Sequence, residues 1–207
     1  MAFTGYKNET LLAEIEKYTK YQYNGISLDV PYHLGGKNTV EQITSYIDNN
    51  YNGDDTSSSQ LQSFMDNNTS GCGVDCSGFV YITLDNATSG DFSNVIGESR
   101  YYTNVEDMIE HSTEVTDIKD IRPNDLIFFT GHVAVIYEVE YAKNPDTGLY
   151  EPWRINYAHS SRGGVGGPHK GYIILTDMND LSNCEWRDSS SSYQDYLADI
   201  FTHVGRW

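Results

Sequence analysis

Residues 71–87 read GCGVDCSGFVYITLDNA, and the state of the second half of that stretch decides the architecture. On propensity alone, VYIT suits a strand. The glycines and Asp75 ahead of it, and the polar segment behind it, argue instead for a helix over 76–87 with Asp75 as N-cap. That choice puts Cys76 in the first helical turn, where unpaired N–H groups and the macrodipole favour negative charge. Cysteine attacks as a thiolate, so the position suits a nucleophile; the competing reading is a buried helix cysteine. Gly73 and Gly78 flank Cys76 and leave room for a substrate backbone. Cys72, in the preceding loop, has no such support.

Working outward, NETLLAEIEKYTKYQYNG (8–25) reads as a helix capped by Asn8, with Leu11, Ile15 and Tyr18 on one face and Gly25 at its end. VPYHLGGKN (30–38) is a glycine-marked turn, TVEQITSYIDNNY (39–51) a short second helix, and NGDDTSSSQ (52–60) a polar loop. Downstream, DLIFF (125–129), HVAVIYEVEYA (132–142), WRINYAHS (153–160) and GYIILTDM (171–178) are β-rich and turn-bounded. KNPDTG (143–148) and the glycine-rich SRGGVGGPHK (161–170) separate the later strands, and DSSSSYQD (188–195) reads as a surface loop. The tail YLADIFTHVGRW (196–207) reads as a last helix or a packing strand. Helices first, then a run of antiparallel strands, give an α+β fold.

The chain has 207 residues, the size of one domain (1–207) able to bury a core without disulfide staples. Its 30 acidic against 13 basic residues give a net charge of −17, which argues against nucleic acid and anionic membranes as partners. A cationic or neutral substrate is easier to accept. No apolar run is long enough for a membrane span. MAFTGYKNET (1–10) shows no secretory leader, so either a leader has been removed or export takes another route. Three cysteines, at 72, 76 and 184, are not a disulfide framework, although a Cys72–Cys184 bridge is open to a protein working outside the cell. The single Cys-x-x-x-Cys pair is a poor zinc knuckle, and no metal or cofactor is expected.

A cysteine nucleophile needs a base. FFTGHVAVIYEV (128–139) sets His132 after a glycine at the start of an apolar strand buried on both faces, which holds an imidazole rigidly. INYAHSSRGG (155–164) sets His159 at the end of the next strand. Pairing these strands as a hairpin brings 132 and 159 to one end, where one imidazole takes the thiol proton and the other fixes its tautomer. His169 is a weaker candidate for lining the cleft. Histidines 132, 159 and 169 lack the i, i+4 spacing of a zincin.

DCSGFV (75–80), PNDLIFFTGHVAVIYEV (123–139) and INYAHSS (155–161) together resemble the three catalytic blocks of the NlpC-type cysteine peptidases. VPYHLGG (30–36) is similar to that family's Pro-Tyr-x-x-Gly-Gly block. The resemblance spans about 8–178. It implies a papain-like α+β fold with the nucleophile helix packed on a small antiparallel sheet. It further implies Cys76 as nucleophile, His132 as general base and acid, and His159 as the orienting residue. Tyr32 would line the site, Asp75 and Ser77 would hold a substrate amine, and a backbone N–H near Cys76 would serve the oxyanion hole. The implied substrate is the stem peptide of bacterial peptidoglycan, cut between γ-D-glutamyl and the diamino acid through a thioester. That places the protein in the cell wall or on a phage or secretion particle.

The chain departs from the family pattern in a long stretch at 37–74, in Leu34 where an aromatic is common, and in residues 179–207 beyond the family core. GHVAVI (131–136) also resembles the base block of CHAP-type amidases, so an amidase with the same Cys/His pair is a second reading. A catalytically silent module on this scaffold is a third. Oligomeric state is not legible.

Overall fold

The computed structural model describes residues 2–53 and 56–207. Strand β1 (Ala2–Lys7) leads into α1 (Glu9–Thr19), then the short strands β2 (Gln22–Tyr23) and β3 (Ile26–Ser27). Helices α2 (Val40–Asn50), α3 (Ser58–Asn67), α4 (Thr69–Cys72), α5 (Cys76–Ala87), α6 (Asp91–Ile96) and α7 (Val105–Glu110) follow. The rest is β4 (Thr113–Glu114), β5 (Leu126–Phe129), β6 (His132–Lys143), β7 (Tyr150–Ser160), β8 (Pro168–Ile174), β9 (Glu185–Arg187), α8 (Ser191–Ile200) and β10 (Phe201–Arg206). The fold is thus mixed α and β around an antiparallel sheet.

That sheet runs β4-β10-β5-β6-β7-β8-β9, with β1 pairing the far end of β6. Side chains alternate across it. Leu126, Phe128, Val133 and Val135 face a core shared with Leu11 and Ile15 of α1 and Phe79 and Val80 of α5. Ile127, Phe129, Ala134 and Ile136 face a second core with Leu181, Trp186 and Leu197. Both faces of β5 and β6 are therefore buried, which is why those strands read as nearly continuous apolar runs. Residues 179–207 supply β9, α8 and β10, and β10 occupies the edge of β5. Arg206 locks that strand by a two-pronged ion pair to the buried Asp125, with Nε–Oδ1 and NH2–Oδ2 both 2.8 Å.

Several local expectations shift. Helix α1 is capped by Asn8, which accepts from Leu11 N at 3.0 Å, and it buries Leu11, Ile15 and Tyr18. It stops at Thr19 instead of running to Gly25, because Asn24 (φ 49°) and Gly25 (φ 82°) form the two-residue turn of the β2–β3 hairpin. The stretch 37–74 holds three helices, and α2 starts with a full capping box between Thr39 and Gln42. The polar loop expected at 52–60 includes Asp54 and Asp55, which lie outside the described residues, and α3 begins inside it at Ser58. The serine run expected as a surface loop instead starts α8, capped by Ser190 on Tyr193 N. The tail is both a helix and a strand.

Candidate active site

Helix α5 starts at Cys76. Asp75, extended at φ −87° and ψ −178°, caps it by accepting from Gly78 N at 2.6 Å. Beneath this turn lies the loop carrying Gly35, Gly36 and Lys37. Gly36 O accepts from Asp75 N at 2.9 Å, and a Cβ on Gly78 would sit 2.4 Å from that same Gly36 oxygen. Lys37 Nζ donates to Asp75 Oδ1 at 2.9 Å and to Ser77 Oγ, while Gly35 N donates to Asp75 Oδ2 at 2.9 Å. Asp75 and Ser77, expected to hold a substrate amine, are thus buried and occupied by donors of the protein itself. Tyr32 lines the neighbouring cavity.

The Cys76 sulfur is 7 % exposed and receives the backbone N–H groups of Val133 and Ser77. Burial, reinforced by the charge of Asp75, outweighs those donors and Lys37 and pushes the thiol up to about 11. The helix N-terminus therefore does not yield a resting thiolate, contrary to the reading from position alone. Cys72, 0 % exposed, is also raised to about 11 by burial, and all three cysteines are free thiols, so Cys72 and Cys184 are not bridged.

The histidines converge as the hairpin requires. Gly131, at φ +69°, closes the β5–β6 turn in a conformation that glycine adopts freely, and His132 leaves it paired with Phe129. His132 Nε2 lies 2.7 Å from His159 Nδ1, and His159 Nε2 lies 3.2 Å from Asp188 Oδ2. Asp188 follows β9, and its side chain has no solvent exposure. It accepts from Tyr157 OH at 2.8 Å, Ser189 N at 2.7 Å and His169 Nε2 at 2.9 Å as well. Four donors saturate one carboxylate. Burial alone would raise its pKa, but the hydrogen bonds from His159 and His169 hold Asp188 far below the ordinary carboxylate value.

An ionised carboxylate only accepts, which fixes the protons of the whole chain. His159 donates from Nε2 to Asp188, so its Nδ1 accepts from His132 Nε2–H. His132 is left with its lone pair on Nδ1. Burial, then the nearby His159 and His169 rings, drives His132 well below its usual pKa. Burial first also takes His159 down to about 4. Both are neutral, and His132 is a vacant proton acceptor. His169 has an acceptor on each side, with Gly167 O 2.8 Å from its Nδ1 and Asp188 Oδ1 2.9 Å from its Nε2.

A cavity of about 470 Å³ opens beside His132, with Tyr32, Arg162, Tyr193 and Tyr196 among its walls. The Tyr193 ring also stacks on His159, with 6.2 Å between centroids. His132 and His159 thus share one end of the sheet, and α5, headed by Cys76, packs on β6. Asp188 and Tyr193 are the contributors that the sequence did not point to; both fall in the stretch taken for a surface loop, and no local signal marks them. His33, bonded to Thr69, and His203, against Phe128, lie elsewhere.

A buried thiol raised to about 11 stays protonated at neutral pH. Alkylation of Cys76 by iodoacetamide is therefore expected to be slow at pH 7 and to rise about tenfold per pH unit toward pH 11. Mass mapping over a pH series checks this; a rate already on its plateau at neutral pH rules out the raised thiol. No family model, no curated protein and no solved structure matches the chain.

Proposed function

We propose that the protein is a cysteine peptidase of papain-like arrangement that hydrolyses peptide bonds in peptidoglycan stem peptides. The observation that carries the catalytic part is the unbroken chain His132–His159–Asp188, which leaves His132 Nδ1 as a vacant acceptor; Cys76 heads α5, the helix packed on the strand that His132 opens. The substrate part rests on the resemblance of DCSGFV, GHVAVIYEV and YAHSS to the catalytic blocks of the NlpC-type peptidases.

In the proposed reaction, His132 Nδ1 takes the Cys76 proton as Sγ attacks the scissile carbonyl. The tetrahedral oxyanion is met by backbone N–H groups at the start of α5, an interaction worth about 10²–10³ in rate for one donor. His132 then gives its proton to the leaving amine, and a thioester remains. Water, deprotonated by the same nitrogen, releases the acid and restores the thiol. Asp188 and His159 keep the proton of His132 on Nε2 throughout. With Asp75 and Ser77 tied to Lys37, recognition falls to the cavity, where the Arg162 guanidinium and the tyrosine hydroxyls suit a carboxylate-bearing peptide.

Digestion of purified muropeptides of several wall types, with mass spectrometry of the products, tests the proposal. Expected is a single new peptide terminus, at γ-D-glutamyl, absent with the Cys76→Ala protein. Release of intact stem peptide from the sugar would identify an amidase instead. No product from any wall type would remove peptidoglycan as the substrate.

A further inference from the structure

Behind the proposed base, His159, His169 and Asp188 bring two imidazole nitrogens and a carboxylate oxygen within 4.8 Å of one another. The three sit on a rigid frame. His159 and His169 are directly opposed across β7 and β8, and their ring centroids are 4.2 Å apart. Asp188 is fixed from behind by Tyr157 OH and Ser189 N. The nitrogens that converge are Nε2 of both rings, while each Nδ1 already has a partner of its own: Gly167 O for His169, and His132 Nε2 for His159.

His169 already has the outer arrangement that metal-binding histidines require, one ring nitrogen aimed inward and the other anchored to an acceptor, and His159 gains it once His132 Nε2 turns from donor to acceptor. Zinc bonds of about 2.0–2.2 Å at tetrahedral angles put donor atoms roughly 3.3–3.5 Å apart. Here His169 Nε2 lies 2.9 Å from Asp188 Oδ1 and His159 Nε2 lies 3.2 Å from Oδ2, and the three ligand atoms are within 4.8 Å of one another, close to that spacing.

We infer that His159, His169 and Asp188 form a binding site for a borderline divalent transition-metal ion, of which Zn²⁺ is the reference case, and that occupancy reverses the tautomer of His132. The proton balance follows from the donors. With the site empty, His159 and His132 each hold their proton on Nε2. An ion on both ligand Nε2 atoms and Asp188 leaves no proton on either of them, and any displaced from His169 goes to solvent. His169 keeps its Nδ1 proton on Gly167 O. His159 now carries its proton on Nδ1 and donates it to His132 Nε2, so the His132 proton moves to Nδ1. His132 Nδ1, the acceptor of the thiol proton in the proposed reaction, becomes a donor. Tyr193, stacked on His159 and tilted against His169, also lines the cavity, so the cluster lies one ring behind it. The ion's positive charge suits a chain of net charge −17.

The second half of this inference rests on the proposed nucleophile and base; the first does not, and the experiment separates them. Cys76→Ala protein is titrated with Co²⁺, followed by its visible absorption, and then with Zn²⁺. Expected is one equivalent of Co²⁺ with ligand-field bands and no thiolate charge-transfer band, displaced by Zn²⁺. The bands are lost in His169→Gln and weakened in Asp188→Asn made in the same background, each shown by circular dichroism to be folded. No saturable binding in Cys76→Ala, or binding indifferent to His169→Gln, overturns the site. Long-range ¹H–¹⁵N spectra of the histidine rings then read the tautomer directly. On Zn²⁺ loading the His132 proton is expected to move from Nε2 to Nδ1, and an unchanged His132 pattern overturns the switch whatever the enzyme's substrate proves to be.

Discussion

In the proposed reaction, Asp188→Asn is expected to lower kcat on the order of 10³-fold while leaving KM nearly unchanged. The carboxylate is the only acceptor that requires His159 to donate from Nε2, and an amide of the same shape does not impose that choice. Once His159 is free to put its proton on Nδ1, His132 is no longer held with its lone pair toward the thiol. Losing a triad carboxylate through the wrong tautomer costs about 10⁴ in a serine protease, and one more imidazole stands between carboxylate and base here. KM is spared because Asp188 is not among the cavity walls. Stability also falls, by about 1–3 kcal/mol, because the amide does not satisfy all the buried donors that the carboxylate accepts from Tyr157, His159 and His169. Steady-state kinetics well below the melting temperature separate the two effects. His159→Ala interrupts the same chain, so the double variant should be little slower than the slower single one. Additive losses, or a kcat within threefold of the parent, refute the relay.

Cys76→Ala abolishes hydrolysis, on the order of 10⁶-fold, and leaves a folded protein. The change removes one buried sulfur at the head of α5 while Asp75 keeps its cap bond to Gly78 N, so melting shifts by about 1 kcal/mol or less in stability terms. Cys72→Ser is the matched control. Cys72 has no exposure and lies at the end of α4, away from the base, so it retains most activity while losing stability to a buried hydroxyl. Equal loss of activity in both variants contradicts a single nucleophile.

How far the sequence could be read depended on the range over which each signal acts. Helix α5 was legible because its cap, its glycines and its apolar body are contiguous, and β5 to β8 because strand-forming side chains cluster between clear turns. The same short range explains the misses. Asn24-Gly25 is a local hairpin signal that was outweighed by the helical pattern before it. The raised Cys76 thiol could not be seen, since position on a helix reveals the dipole but not the burial that dominates. Lys37 reaches Asp75 and Ser77 from 38 and 40 residues away, a brace that no neighbouring residue announces. Asp188 enters the site only because β9 pairs with β8, Tyr172 opposite Arg187, which no neighbouring residue announces.

Strand β6 is hydrogen-bonded along both edges, to β5 and then β1 on one side and to β7 on the other, and its first half is buried on both faces. Such a strand exchanges its amide hydrogens only when the whole domain opens, whereas the exposed stretch carrying Arg162 can open alone. His132 therefore belongs to the last unit to come apart, and the wall that meets the ligand belongs to an early one. Binding can reshape the cavity without disturbing the register of the base.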